Sequence, residues 1–396
     1  MPAYPRRRIL FVLRGKLGDT VAAFATVRAY ADAFPDDDVT LLVRASYAPL
    51  FGREPGIRVV GFSSRVVMFA KLAMMRWLEP PFDALLVLLG AGAPILRLGR
   101  MVRAGRKIFL DARFREVYTE WPDVPPDHVQ SEPAWRVARV YAPELAPPQW
   151  SRIPSLAARR RPARVIGIAP ISDEPRRTMS PRIVHALIRA LAQRYAGYSI
   201  HVLVNTDDDE AQPLLEAGLP AEARLRKFPT LQALVEELSI LDHLHSTDTG
   251  LYHLAAAMGV PLTTYFGPTQ PWRNGFPTQP GLTRIRLAAL GGEHCEEKGC
   301  RRPICLEKSV ALHAGAAIRV SWSALHVLPA PVQLDLGDRA RGRSPHRPRV
   351  CGPIRREAHP RGRQRPLLLR PGPPRCARST RAGRWGDQRR RGRLPS

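Results

Sequence analysis

The chain has no segment suited to crossing a membrane. Its longest largely apolar stretch, Ala84 to Leu98, holds two glycines, a proline and Arg97 and falls short of the roughly 20 apolar residues that a helical span needs. Nothing reads as a secretory leader either. Arg6, Arg7 and Arg8 precede only five apolar residues, Ile9–Leu13, and no small-residue cleavage site follows. Cysteine is scarce: Cys351 and Cys376 lie near the C-terminus, and Cys295, Cys300 and Cys305 cluster at a spacing that matches no common zinc pattern. His294 is the one further ligand type beside them, so reduced structural thiols are expected there, and no metal. An odd cluster is also poor material for disulfides. These absences predict a cytoplasmic protein.

Acidic residues are short as well, with 35 Asp and Glu against 61 Lys and Arg, a formal net charge of +26. The excess is uneven. Residues 331–396 hold 19 Arg, no Lys, 10 Pro and four acidic residues, a net of +15, which leaves +11 on residues 1–330. This tail has no apolar periodicity, so disorder is expected. Its composition also fits a shifted reading frame in GC-rich coding sequence, or a basic arm for nucleic acid or anionic lipid. A body at +11 suggests an anionic partner such as a nucleotide, a phosphorylated glycolipid or an acidic membrane face. It holds no recognisable nucleic-acid module, so no nucleic-acid partner is expected.

What is present is a repeated strand–helix rhythm in a chain of 396 residues, long enough for two to three domains. Arg8–Leu13 (RILFVL) reads as a buried parallel strand, and Val21, Phe24, Val27, Ala31 and Phe34 give Thr20–Phe34 one apolar helical side. Val39–Val43, Arg58–Phe62 and Asp83–Leu89 read as further strands, with an amphipathic helix over Ser64–Leu78. A Pro- and Arg-rich linker follows, from about Pro143 to Arg164, and the rhythm restarts. Val165–Ala169, Ile200–Val204, a weak His243–Thr247 and Leu262–Phe266 are strands; Ser180–Tyr195, Leu231–Leu241 and Gly250–Met258 are helices, with Ser180-Pro181 as the N-cap and first turn of its helix. The pattern predicts an α/β protein with parallel sheets covered on both faces. Its expected parts are an N-terminal Rossmann-like domain over 1–150, a linker over 151–164, a second Rossmann-like domain over 165–330, and the tail over 331–396. Ligands then belong at the carboxyl ends of the strands, in a cleft between the domains.

Three blocks fall at such strand ends. Arg14-Gly15-Lys16-Leu17-Gly18-Asp19 joins the first strand to the first helix, and its glycines permit close approach of a ligand. Asp19 is either a helix cap or a general base. Asp248-Thr249-Gly250 opens a small-residue helix containing His253, a geometry that aims N–H groups at an anion such as a diphosphate. Asp248 could cap this helix or bind sugar hydroxyls, and His253 could be a buried structural histidine. Tyr265-Phe266-Gly267-Pro268-Thr269 would close the same pocket. Asp173-Glu174-Pro175-Arg176-Arg177 ends another strand, where adjacent arginines could neutralise a diphosphate.

The ordered series resembles glycosyltransferase family 9, the ADP-heptose:lipopolysaccharide heptosyltransferases. The residues that carry the resemblance are Ile9–Arg14 with Gly18-Asp19, Ile166–Pro170, Asp248-Thr249-Gly250 with His253–Ala257, and Phe266-Gly267-Pro268-Thr269. The resemblance implies a GT-B architecture, two Rossmann-like domains facing each other across a cleft, and inverting transfer without metal or cofactor. It makes Asp19 the base. It puts Arg177, Asp248, Thr249, Gly250, His253, Gly267 and Thr269 around an ADP-sugar donor, and Arg14, Lys16 and Gly18 beside the acceptor. That acceptor would be a lipid-linked acidic glycan, met by peripheral contact at the cytoplasmic face of the inner membrane. Two departures stand out: Arg177 replaces a lysine common in the family, and Val87-Leu88-Leu89-Gly90 is apolar where an Asp-x-Gln-Gly element is usual. A relative with another sugar or acceptor, an inactive member and an Arg-tail nucleic-acid binder are the alternatives.

Overall fold

The protein was analysed as a computed structural model, which describes residues 6–125, 128–148, 150–205, 215–275, 279–287, 304–314 and 325–327. The 331–396 tail, His294, Cys295 and Cys300 lie outside the described residues. The first half builds a five-stranded sheet from β1 (Arg8–Leu13), β2 (Asp38–Arg44), β3 (Ile57–Phe62), β4 (Phe82–Leu89) and β5 (Ala104–Phe109), in the order β3-β2-β1-β4-β5. All four pairings are parallel. Helices α1 (Leu17–Ala33), α2 (Ala48–Phe51), α3 (Arg65–Leu78), α4 (Ala93–Met101) and α5 (Glu132–Tyr141) complete this half. The central strands β1 and β4 are buried almost end to end, as their unbroken Ile, Leu, Val and Phe runs require.

After the one-turn helix α6 (Pro154–Ala157), the second half repeats the scheme. Its strands are β6 (Val165–Ala169), β7 (Ser199–Asn205), β8 (Ala223–Phe228), β9 (Leu241–Thr247), β10 (Leu262–Phe266), β11 (Leu282–Leu287) and β12 (Leu325–Val327), ordered β12-β11-β10-β9-β6-β7-β8. Only β12 runs antiparallel to its neighbour among these described strands. Helices α7 (Pro181–Arg194), α8 (Leu231–Ile240), α9 (Gly250–Ala257) and α10 (Ile304–His313) flank it. Each sheet reverses its strand order once, between β1 and β4 and between β6 and β9. Those reversals open the crevices where α/β sheets bind ligands.

Sequence patterning found the central strands and missed β5, β8, β11 and β12, and for the first two the reason is physical. Both are edge strands, AGRKIF and ARLRKF, whose charged side chains point to partners or solvent: Arg106 pairs with Glu120, Lys107 donates to the Gly99 carbonyl, and Arg226 pairs with Glu237. The weakly patterned His243–Thr247 is the heart of β9, a central strand. His243 Nε2 bonds Thr263 Oγ1 and His245 Nδ1 bonds the Tyr265 hydroxyl, so each ring finds one partner within the sheet.

The two halves share one apolar cluster. It runs from Phe11 on β1 through Val21, Phe24 and Val27 on α1 to Leu254, Ala255 and Ala257 on α9 and Leu244 on β9. Residues 151–157 pin this join. Ser151 Oγ donates to the Val21 carbonyl at 3.2 Å, the Ile153 N–H donates to the Ala257 carbonyl at 2.9 Å, and the Ser155 N–H donates to Glu54 at 2.9 Å. Ile153 and Leu156 are buried in the same cluster.

Candidate active site

Helices α1 and α9 meet nearly nose to nose. A Cβ on Gly18 would stand 2.7 Å from the His253 ring and 3.2 Å from the Gly250 Cα; one on Gly250 would stand 3.2 Å from the Gly18 nitrogen. Both positions therefore require glycine, and backbone contact sets the separation of the two helix starts. Each start follows the carboxyl end of a strand beside its sheet's reversal point, β1 for α1 and β9 for α9. Around them lies a cavity of about 570 Å³ whose walls hold Lys16–Asp19, Ser172–Glu174, Arg177, Asp248–Leu251 and His253.

Asp19 lies in the first turn of α1, whose N-cap is Lys16, so it is not the capping residue. Its Oδ1 accepts a 2.6 Å hydrogen bond from Gln130 Nε2, and the Gln130 backbone N–H is held by the Arg273 carbonyl at 2.7 Å. Across the cavity, Asp248 is buried at the end of β9 and is not a cap either. Thr249 takes that place: its hydroxyl accepts from the Leu251 N–H at 3.0 Å. Asp248 Oδ2 accepts from Arg177 Nη1 at 3.0 Å and from Asn274 Nδ2 at 2.9 Å. Arg177 also pairs with Glu174 at 3.1 Å. Burial raises Glu174, but the Arg176 hydrogen bond and the nearby cations outweigh it and hold its carboxyl below the usual range.

His253 is buried one turn into α9, against Tyr252 and Gly18. Burial pushes it down to about 4, despite the opposing pull of Asp248 and Asp19, so its ring is neutral at neutral pH. Lys16 crosses the cleft to Asp173 at 2.9 Å, with both side chains largely exposed; that hydrogen bond holds the ammonium above its ordinary value. The site thus sets one carboxylate on the first half opposite a carboxylate–guanidinium pair and a capped helix N-terminus on the second.

The structure gathers eight of the residues singled out from sequence into this cavity: Lys16, Gly18, Asp19, Arg177, Asp248, Thr249, Gly250 and His253. Gly267, Thr269 and Arg14 are not in its walls. Gly267 makes room for α10, since a Cβ there would lie 3.0 Å from the Leu306 Cβ and 3.4 Å from the Cys305 sulfur. Thr269 Oγ1 is buried without a hydrogen-bond partner among the described residues. Arg14 is half-buried and its backbone N–H bonds the Leu89 carbonyl; burial first, then the charges of Arg65 and Arg44, lower its pKa. Arg176, paired with Glu174 and buried, is likewise outside the walls. Patterning overlooked Tyr47, Gln130 and Asn274, which line the cavity from loops with no periodicity, whereas Asp173 opens one of the three blocks singled out from sequence. A faint signal existed for one of them: Asn274-Gly275 is a turn dipeptide, and Gly275 takes φ +77° beneath the Tyr252 hydroxyl.

Comparison with known proteins now bears on this geometry. Residues 154–305 match the model of glycosyltransferase family 9 (heptosyltransferase). This segment is similar to a glycosyltransferase family 9 domain. It contains Arg177, Asp248, Thr249, Gly250 and His253, which line the cavity from the second half. A comparison with curated proteins found no match. Among solved structures, the family 9 glycosyltransferase of Veillonella parvula is similar at 16% identity and TM-score 0.58, over 70% of this chain and 85% of its own. The E. coli heptosyltransferase WaaC with ADP is similar at 17% identity and TM-score 0.58, over 70% and 93%. E. coli ADP-heptose lps heptosyltransferase II is similar at 18% and 0.58, over 78% and 98%. The fold is therefore that of the GT-B heptosyltransferases.

Proposed function

We propose that the protein transfers heptose from ADP-heptose to an acidic, lipid-linked acceptor of the lipopolysaccharide inner core, working at the cytoplasmic face of the membrane. The observation that carries this reading is the placement of Asp19 and the Arg177–Asp248 pair on opposite walls of one cavity, at helix starts fixed by Gly18 and Gly250. In this scheme Asp19 takes the proton from the acceptor hydroxyl. The oxygen attacks the anomeric carbon as the bond to ADP breaks, which inverts that centre. Negative charge grows on the departing diphosphate and is met by the N–H groups at the start of α9 and by Arg177, groups already in position before charge develops. Asp248 and Asn274 would hold the sugar hydroxyls, and Lys16 would lie on the acceptor side. The similarity to family 9 supports the class of reaction, and relatives of the same fold that hold ADP or bear ADP-heptose in their names support the donor.

The test is ADP release from ADP-heptose by the full chain, with and without a Kdo–lipid A acceptor. Acceptor-dependent release is expected, and Asp19→Asn should reduce kcat by at least about 10²-fold, as loss of a positioned general base does, while ADP affinity stays as it was. ADP binding without turnover on any heptose acceptor would overturn the substrate assignment. Full activity in Asp19→Asn would remove the base.

A further inference from the structure

Among the described residues, large apolar side chains stand exposed at only seven positions, and four of them lie on α3: Val66 at 77%, Met74 at 54%, Trp77 at 82% and Leu78 at 76%. The spacing 66, 70, 73, 74, 77 is that of a single helical face, and Ala70 and Ala73 fill it. The opposite face, with Met68, Leu72 and Met75, is buried against the first sheet. The outward stripe is thus apolar along the length of the helix, where a surface helix ordinarily turns polar groups to water.

Charge borders the stripe on both sides. Helix α3 carries Arg65, Lys71 and Arg76, the adjoining α4 carries Arg97 and Arg100, and neither contains an acidic residue. The two helices are locked together: Arg76 donates to the Met101 carbonyl at 3.0 Å and Arg103 to the Arg76 carbonyl at 3.2 Å. An apolar ridge edged by cations, with a tryptophan near its end, matches the boundary of an anionic bilayer, where acyl chains meet phosphates. No helix among the described residues is long and apolar enough to cross a membrane, and at 14 residues α3 suits a helix that lies along the surface.

Position gives the stripe a purpose. Helix α3 begins at Ser64, directly after β3, at the carboxyl end of the first sheet. Its first residue, Arg65, is close enough to act on the charge of Arg14, at the loop that leads to Lys16 and Asp19. We propose that α3 is a membrane-docking element whose Val66–Leu78 stripe enters the headgroup boundary of an anionic bilayer, with Arg65, Lys71, Arg76 and Arg97 on lipid phosphates. An acceptor anchored in that bilayer would then reach the cleft from its first-half side; this last clause rests on the proposed function, whereas the docking surface does not.

The experiment is co-sedimentation of the full chain with vesicles of phosphatidylglycerol and phosphatidylcholine, compared with phosphatidylcholine alone. Salt at about 0.5 M screens the contribution of the arginine-rich C-terminal residues. Trp77→Ser/Leu78→Ser is expected to weaken binding to anionic vesicles by at least about tenfold, from the loss of two inserted side chains, while ADP binding and the thermal midpoint hold. Equal sedimentation of the variant and the original would overturn the proposal, leaving charge alone as the attraction. So would a dimer of the original chain that the variant breaks without any lipid dependence, since a second copy would then cover the stripe. Absence of ADP binding in the original chain would count against the proposed function and leave the vesicle result standing.

Discussion

Gln130 reaches Asp19 from a loop that no sequence pattern marked, and it is the one hydrogen-bond donor found on that carboxylate among the described residues. It is itself tied to the second half through the Arg273 carbonyl. The glutamine thus couples the orientation of the proposed base to the position of the second half. Gln130→Leu should lower kcat by about 10²-fold, the scale on which small misplacements of a reacting group act, with little change in the KM for the donor. Steady-state kinetics separate the two constants, and a rise in donor KM at unchanged kcat would assign Gln130 to binding instead. The same residue shows where sequence reading ends. Asp19 and Asp248 announce themselves because glycine-rich strand ends flank them. Gln130, Tyr47 and Asn274 reach the site only through the folding of loops, so nothing local distinguishes them from solvated polar residues.

At the level of elements, legibility followed burial. Strands β1, β4 and β6 are covered on both faces, and their apolar runs could be read directly. The charged edge strands β5 and β8 could not, because half of their side chains answer to neighbours rather than to a core. Helix starts divide in a comparable way. Thr230 caps α8 through a hydrogen bond from the Ala233 N–H at 3.1 Å, whereas Ser180 occupies the N-cap of α7 and makes no side-chain cap bond. Thr230→Ala should therefore cost about 1 kcal/mol, and Ser180→Ala distinctly less, although both sit at the same position of a helix. Urea midpoints of the two variants decide the matter, and equal losses would mean that N-cap identity rather than the observed bond sets the cost. Helix α8 makes a useful reporter because Leu234, on its inner face, also lines the cavity.

Across the whole molecule, buried histidines set the response to acid. Burial, then the charges of Arg194 and His313, push His243 down to about 4; burial pushes His253 to about 4; and burial holds His245, packed beside His243, Tyr265 and His313, well below its ordinary value. In the unfolded chain these groups titrate near 6.5. Their folded values are the lower ones, so their contribution to stability is complete above pH 6.5 and is lost as pH falls from there through 4. Between pH 7.5 and pH 5 each of the first two should remove about 2 kcal/mol. Urea unfolding at the two pH values measures it; a midpoint that does not move would show that these rings carry protons in the native state. Arg106–Glu120 and Arg58–Glu79, whose carboxyls are held low by their arginines, persist into more acid solution and do not offset this loss.

The apolar cluster that α1 and α9 share has an evolutionary consequence. The two halves interlock through alanines and two facing glycines, where even one added methyl group must be answered by a change in the other half. The halves are therefore inherited together. A change of donor or acceptor in this lineage has to come from the rim of the cavity, from loops such as those bearing Tyr47, Gln130, Asp173 and Asn274, and not from recombination of its two sheets.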